Sequence, residues 1–214
     1  NALTEPSCRR VLVSGASMVA LKILEACLKR ELDATLVGMN PHILDCNALP
    51  EAAERFERGL LEKGVHLRLG QTIAGVRIIE DASHPLGRWL EVTFSTGDVD
   101  EFDQIAVAHG MRCNLGFLAE GALETDCGIL VDDHMRTSDA DVYAAGDVAQ
   151  ATELVSGTKR IIGIWKSAAI QGQCAGTTIA AELAGAPIPP EGRFAGAIST
   201  NTIGVAGTLF MSAG

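Results

Sequence analysis

Aromatic side chains are scarce in this chain of 214 residues: two Trp, one Tyr and six Phe. Yet 47% of the residues are hydrophobic, so the core must be built mainly from Val, Ile, Leu and Ala. That composition suits a parallel sheet covered by helices. No apolar run is long enough to span a bilayer, and no signal peptide opens the chain, so a cytoplasmic, non-membrane protein is expected. A basic surplus is also absent. The formal net charge of −10 excludes a nucleic-acid or anionic-membrane surface, since both need basic patches. No Cys-x-x-Cys pair occurs among Cys8, Cys27, Cys46, Cys113, Cys127 and Cys174, so buried, reduced thiols are expected rather than metal ligands or a redox pair. The histidines His42, His66, His84, His109 and His134 are dispersed without metal spacing. No metal site is expected, and no Ser-His-Asp or phosphate-loop signature is present, so no side chain is assigned a catalytic role. The chain opens on Asn1-Ala2 rather than Met, which reads as a tag scar on a piece of a larger protein.

What is present is an alternation of buried strand, amphipathic helix and glycine turn. Residues 9–15 read as a first strand, and Met18 to Arg30 as a helix with Lys29 and Arg30 in its last turn. Ala34 to Val37 is a second strand. Leu49 to Lys63 is a second helix closed by Gly64, and Val65 to Leu69 a third strand. Period-two segments follow at Thr72–Ile79, Trp89–Ser95 and Val99–Phe102, which predict an antiparallel meander. Gln104 to Ala108 returns as a buried strand ending at His109-Gly110. Further on, strands are expected at Gly128–Asp132 and Val142–Ala145, and a helix from about Trp165 to Ala184, stopped by Gly185-Ala186-Pro187. Residues 193–214 look like a β element. The fold class is therefore α/β: a Rossmann-like dinucleotide-binding fold, a parallel sheet with helices on both faces and an antiparallel β-meander.

The first turn, Gly15-Ala16-Ser17-Met18-Val19-Ala20, sits where a G-x-G-x-x-G/A pattern would bind a pyrophosphate, between a strand and a helix N-terminus. Gly15 and Ala20 satisfy the small-residue requirements; Ser17 replaces the second glycine, where its side chain would crowd a pyrophosphate. About twenty residues on, an NAD site usually carries Asp or Glu for the ribose hydroxyls. Here the second strand ends in Val37-Gly38-Met39-Asn40, with neither a carboxylate nor an adjacent Arg or Lys. Two readings stay open: a nicotinamide dinucleotide site, or a structural Rossmann unit.

Thr137-Ser138-Asp139-Ala140-Asp141-Val142-Tyr143-Ala144-Ala145-Gly146-Asp147 resembles the second flavin-binding motif of the two-dinucleotide-domain flavoproteins, the pyridine nucleotide-disulfide oxidoreductase family. The resemblance implies that Gly146 and Asp147 bind the ribityl or pyrophosphate part of FAD. Trp165-Lys166-Ser167-Ala168-Ala169-Ile170-Gln171-Gly172 is similar to the Trp-x-x-Ala-x-x-Gln-Gly of the nitrite-reductase, rubredoxin-reductase and ferredoxin-reductase branch, which implies Trp165 near the flavin ring. Asp103, Gly110 and Asn114 fall at further family positions. The likeness implies a leader at 1–8, an NAD(P)H-binding domain at 9–110, the C-terminal half of an FAD domain at 111–190 and the start of an interface domain at 193–214. The family's first FAD-binding glycine turn would lie upstream of residue 1. The implied function is a partial chain of an FAD-dependent NAD(P)H oxidoreductase, passing hydride from nicotinamide to flavin and electrons to an acceptor, which could be a protein; the isolated chain is expected to be inactive. The cofactor-binding positions expected are Gly15, Ala16, Ser17, Met18, Val19, Gly38, Met39 and Gly110 for NAD(P)H, with Gly146, Asp147 and Trp165 for FAD. The alternative is a degenerate Rossmann scaffold or interaction domain that has lost nicotinamide binding, and self-association into a homo-oligomer is compatible with either.

Overall fold

The computed structural model describes residues 5–45 and 47–213; Asn1-Ala2 and Cys46 lie outside the described residues. The chain divides into two compact units. The first runs to Gly110 and also takes in Thr202–Phe210; the second holds Met111–Asn201 and the residues after Phe210.

In the first unit, β1 (Arg10–Ser14), α1 (Met18–Leu28), β2 (Asp33–Gly38), α2 (Pro50–Glu62) and β3 (His66–Leu69) follow one another. A meander of β4 (Ile73–Glu80), β5 (Arg88–Phe94) and β6 (Val99–Phe102) precedes β7 (Gln104–Val107). The strands β3-β2-β1-β7 form one parallel sheet in that order, and β4-β5-β6 a separate antiparallel one. Alternation along β1 explains the layering. Val11 and Val13 pack with Leu21 and Leu24 of α1 and Phe56 and Leu60 of α2, while Leu12 packs with Val92, Phe94 and Phe102 of the meander. Within this unit, then, both helices share one face of the parallel sheet and the meander covers the other. The Asp103 carboxylate accepts from the amides of Arg9 (2.6 Å) and Arg10 (2.8 Å), tying the start of β7 to the start of β1.

Helix α1 stops at Leu28, not Arg30. Lys29 is the capping residue, and the chain turns out of the helix through Glu31 at φ +55°, with the Leu32 amide donating to Cys27 O at 3.1 Å. The basic pair still serves the helix end: the Lys29 ammonium pairs with Glu25 at 2.9 Å and the Arg30 guanidinium donates to Ala26 O at 3.2 Å.

The second unit carries β8 (Ile129–Leu130), β9 (Ala149–Thr152), β10 (Lys159–Ile161) and α3 (Trp165–Leu183). Its three strands run in the order β10-β9-β8, parallel between β8 and β9 and antiparallel between β9 and β10. The strand expected at Val142–Ala145 is not formed. Only Tyr143 makes a bridge, to Arg136, and Gly146–Val148 is a turn of 3-10 helix. A hairpin closes the described chain: β11 (Thr200–Val205) and β12 (Thr208–Ala213), joined by Ala206-Gly207 at φ +54° and +81°. Positive φ at both central residues is the two-residue turn whose twist suits a hairpin. Ile203, Val205 and Phe210 enter the helix-side core of the first unit.

The cysteines are not uniformly buried. Cys8, Cys27 and Cys174 are, but Cys113 is partly exposed and Cys127 exposed, because the latter two sit in the loops around β8 rather than on packed element faces. Among the described residues no helix is long and apolar enough to cross a membrane.

Candidate functional site

All four strands of the parallel sheet point the same way, and β1 lies between β2 and β7. The loops after β1, β2 and β7 therefore lie together at the carboxyl ends of the strands, where open α/β sheets bind ligands. A cavity of about 530 Å³ occupies that place, lined by residues that include Gly15, Ala16 and Ser17, Met39 and Asn40, Asp45, Gln71, and His109-Gly110.

The floor is set by Gly15. Its φ is +118°, and a Cβ there would lie 2.3 Å from Ala108 O, so the β1–α1 turn and the end of β7 touch backbone to backbone. Ser17 caps α1: its hydroxyl accepts from the Ala20 amide at 3.5 Å and donates to Ala108 O at 3.3 Å. The hydroxyl expected to crowd a pyrophosphate is thus drawn back onto the helix start and the end of β7. The N-terminal amides of an eleven-residue helix face the cavity rim, a favourable place for an anion.

The end of β2, where the carboxylate is missing, packs tightly. A Cβ on Gly38 would lie 2.9 Å from the Ala16 methyl, so a side chain there would displace the glycine turn. The cavity nevertheless holds a carboxylate. Asp45 lines it, and its Oδ2 accepts from Asn40 Nδ2 at 2.9 Å. Across the cavity, His109 Nε2 and Ser14 Oγ share a hydrogen bond of 2.7 Å. Gln71 closes the side after β3, its amide donating to Gly38 O at 3.0 Å, with its Oε1 buried and unpartnered among the described residues.

Of the positions expected here, Gly15, Ala16, Ser17, Met39 and Gly110 line the cavity, and Gly38 abuts it through Ala16. Met18 and Val19 do not: Met18 packs against the core and Val19 is exposed on the first turn of α1. A helix start turns successive side chains around its axis, so only the turn before it faces the crevice. Asp45, Gln71 and Ser14 escaped sequence reasoning; His109, next to the expected Gly110, was placed at this end of the strand but without its Ser14 partner. The only hint was the polar run Asn40, Asp45, Asn47 in the loop after β2.

In the second unit, the two remaining motifs meet through one side chain. Gly146 has φ +82°, and its amide donates to Oε1 of the buried Gln171 at 2.7 Å. The Ala168 methyl is 3.5 Å from where a Gly146 Cβ would stand. Gln171 and Ala168 are the polar and small positions of the helix motif, so α3 holds the turn that presents Asp147. The Asp147 side chain is exposed, and its carbonyl accepts from the Cys113 thiol at 2.8 Å. Burial and the nearby Asp147 carboxylate raise the Cys113 pKa, keeping the thiol protonated. Trp165, the first residue of α3, is 82% exposed, a level at which a large aromatic has not been used for core packing within this chain.

Known proteins are similar to this chain along most of its length. The family described as pyridine nucleotide-disulphide oxidoreductase matches residues 1–172. The chain is 29% identical over 206 residues to the NADH-dependent phenylglyoxylate dehydrogenase subunit epsilon of Aromatoleum evansii, covering 96% of this chain and 46% of that one. It is 28% identical over 180 residues to the rubredoxin-NAD(+) reductase of Pseudomonas putida, covering 84% and 45%. Among solved structures it is similar to a NAD-dependent persulfide reductase from A. fulgidus, with a TM-score of 0.80 and 28% identity over all of this chain and 37% of that one. The chain thus spans less than half the length of these relatives. A match over most of the chain, joined to a Rossmann-like crevice and a Gly-Asp turn held by its helix, places it in the pyridine nucleotide-disulphide oxidoreductase family.

Proposed function

We propose that the chain is part of an FAD-dependent NAD(P)H oxidoreductase, with the first unit holding the nicotinamide dinucleotide and the second supplying half of the flavin site. The observation that carries this reading is the 530 Å³ cavity at the strand ends, floored by a glycine at which no Cβ fits. A turn that brings bare backbone and a helix N-terminus to one point suits a pyrophosphate. In this reading Gly15, Ala16 and Ser17 with the first amides of α1 hold the pyrophosphate, and exposed Met39 offers an apolar face to the adenine. His109 and Gly110 border the nicotinamide end. In the second unit the Gly146 turn and Asp147 hold the flavin tail, and Trp165 lies beside the ring. When both cofactors are bound they supply hydride donation and acceptance; the protein positions them. Electrons then leave for an acceptor, for which a small redox protein is one candidate.

The competing reading, a scaffold that has lost nicotinamide binding, draws on Gly38, where the usual carboxylate is absent. Calorimetric titration of the chain with NADH separates the two. Saturable binding with a dissociation constant below about 1 mM, equivalent to about −4 kcal/mol, supports the nucleotide site. No heat up to several times that concentration, roughly 5 mM on the same scale, supports the scaffold. Purified chain is expected to be colourless, because Asp147 and its turn offer one or two charge-assisted hydrogen bonds, about 1.5–3 kcal/mol each, too few to retain FAD through gel filtration.

A further inference from the structure

The end of β2 carries no carboxylate, and a Cβ on Gly38 would meet the Ala16 methyl at 2.9 Å. A dinucleotide in the crevice would therefore find its adenosine ribose without the usual partner. The loop that follows brings one back. Asn40, two residues past the end of β2, donates through Nδ2 to Asp45 Oδ2 at 2.9 Å. The other Asp45 oxygen has no hydrogen-bond partner among the described residues.

This carboxylate is placed by its backbone surroundings, not by a chance side-chain contact. On one side, the Leu44 amide donates to Ala16 O at 2.8 Å, so the residue before Asp45 is pinned to the glycine turn itself. Leu44 is fully buried and adopts φ +56°, which turns the chain at this point. On the other side, Asn40 O accepts from the Gly70 amide at 3.0 Å, anchoring the partner of Asp45 to the loop after β3. The Ile43 amide adds a third tie, to Glu57 Oε1 at 3.0 Å. The loop thus closes over the β2 side of the cavity and sets Asp45 in its wall.

The charge of the cavity wall points the same way. Among the described residues lining it there is no Lys or Arg, and Asp45 is the one carboxylate. His42 also lines the cavity, and its Nδ1 lies 3.3 Å from Glu57 Oε1, so any positive charge on it is matched. No Lys or Arg there would pair with a phosphate on the ribose, while a carboxylate would accept from free ribose hydroxyls and repel a phosphate dianion.

We infer that Asp45, held by Asn40, binds the adenosine ribose hydroxyls in place of the carboxylate missing from the end of β2, and that it makes this cavity select NADH over NADPH. This inference rests on the reading of the cavity as a dinucleotide site.

The test is calorimetric titration of the chain, and of Asp45→Ala, Asn40→Ala and Asp45→Arg, with NADH, NADPH and ADP. Circular dichroism establishes that each variant is folded; Asn40→Ala leaves the carboxylate in place and loosens only its clip. The unmodified chain is expected to bind NADH at least tenfold tighter than NADPH. Asp45→Ala should weaken NADH and ADP alike by roughly ten- to a hundredfold and leave NADPH unchanged or tighter. Asn40→Ala should give a smaller fall in the same direction, and Asp45→Arg should reverse the preference. A preference for NADH that persists in folded Asp45→Ala overturns the inference and leaves the dinucleotide site standing, as does equal affinity for both nucleotides in the unmodified chain. A loss seen with NADH and absent with ADP overturns the assignment to the adenosine ribose. Failure of the unmodified chain to bind any of the three removes the underlying reading and this inference with it.

Discussion

Replacing Gly15 by alanine sets a Cβ against the end of β7, and the structure allows the cost to be divided in two. The backbone part arises from φ +118°, outside the left-handed well near +60° that L-residues occasionally occupy, and is worth about 1–3 kcal/mol. The contact part arises because the Cβ would stand 2.3 Å from Ala108 O and 2.8 Å from its carbonyl carbon. Those are main-chain atoms of a strand end already hydrogen-bonded to Ser14 O, so relief requires moving β7, a further cost of about 1–3 kcal/mol. The total is roughly 2–6 kcal/mol. Gly97 supplies the control within the same unit: its φ is +88° and nothing lies within 4 Å of its virtual Cβ, so Gly97→Ala carries a backbone cost alone. Urea unfolding of both variants, followed by circular dichroism at matched slope, reads the difference as the contact cost together with the extra backbone cost of φ +118° over +88°. Gly15→Ala should also abolish nucleotide binding to any folded fraction, which Gly97→Ala should leave intact. A Gly15→Ala variant no less stable than Gly97→Ala would refute the close approach of the β1 turn to β7, and with it the floor assigned to the cavity.

Gln171→Leu removes the acceptor of the Gly146 amide from a buried position; it should cost about 1–3 kcal/mol and speed hydrogen exchange at Gly146, and unchanged exchange would contradict the tie. Glu25 is held down at about 2 by hydrogen bonds from Lys22 and Lys29. A carboxyl depressed in the folded state stabilises above its unfolded pKa near 4.5 and loses that contribution as pH falls toward 2. The stability gap between the unmodified chain and Glu25→Gln should therefore narrow over that window, and a gap that widens on acidification would reverse the sign. Burial pushes the Cys27 thiol up to about 11 and raises those of Cys8 and Cys174. Native labelling with iodoacetamide should modify exposed Cys127 and spare these three, as read by peptide mass spectrometry; prompt labelling of Cys27 would show that its core opens readily.

The strand and helix order of the first unit was legible because its two periodicities differ and glycines mark the turns. Val11-Leu12-Val13 reads as a doubly buried strand, and the alternation of β5 is as plain in sequence as in the pairing of Leu90, Val92 and Phe94 with the core. The second unit was harder. Ala149–Thr152 is a strand made of Ala-Gln-Ala-Thr, in which only Thr favours a strand, and it forms because β8 and β10 flank it. Val142–Ala145 has strand composition but finds a partner only at Tyr143, so composition overstated it. At the site, the absence of a carboxylate at Gly38 could be read from sequence, whereas the tight packing of Gly38 on the Ala16 methyl joins residues distant along the chain. Asp45 was invisible because its position depends on the path of a loop pinned at Leu44 and Asn40. No spacing rule describes such a path.

The return of Thr202–Phe210 to the first unit bears on how this chain folds during synthesis. Lys22 Nζ donates to Gly204 O across 182 positions, and Ile203, Val205 and Phe210 complete a core whose other members are nearly all emitted by Ala108. At about 5–20 residues per second, the ribosome takes roughly 5–20 s to pass from Ala108 to Phe210. For that interval the helix-side core of the nascent first unit lacks its last three side chains, with the whole second unit emerging meanwhile. Apolar surface around α1 and α2 is then open to chaperones or to misplaced partners, and a break in the chain at Gly110 would make that temporary state permanent.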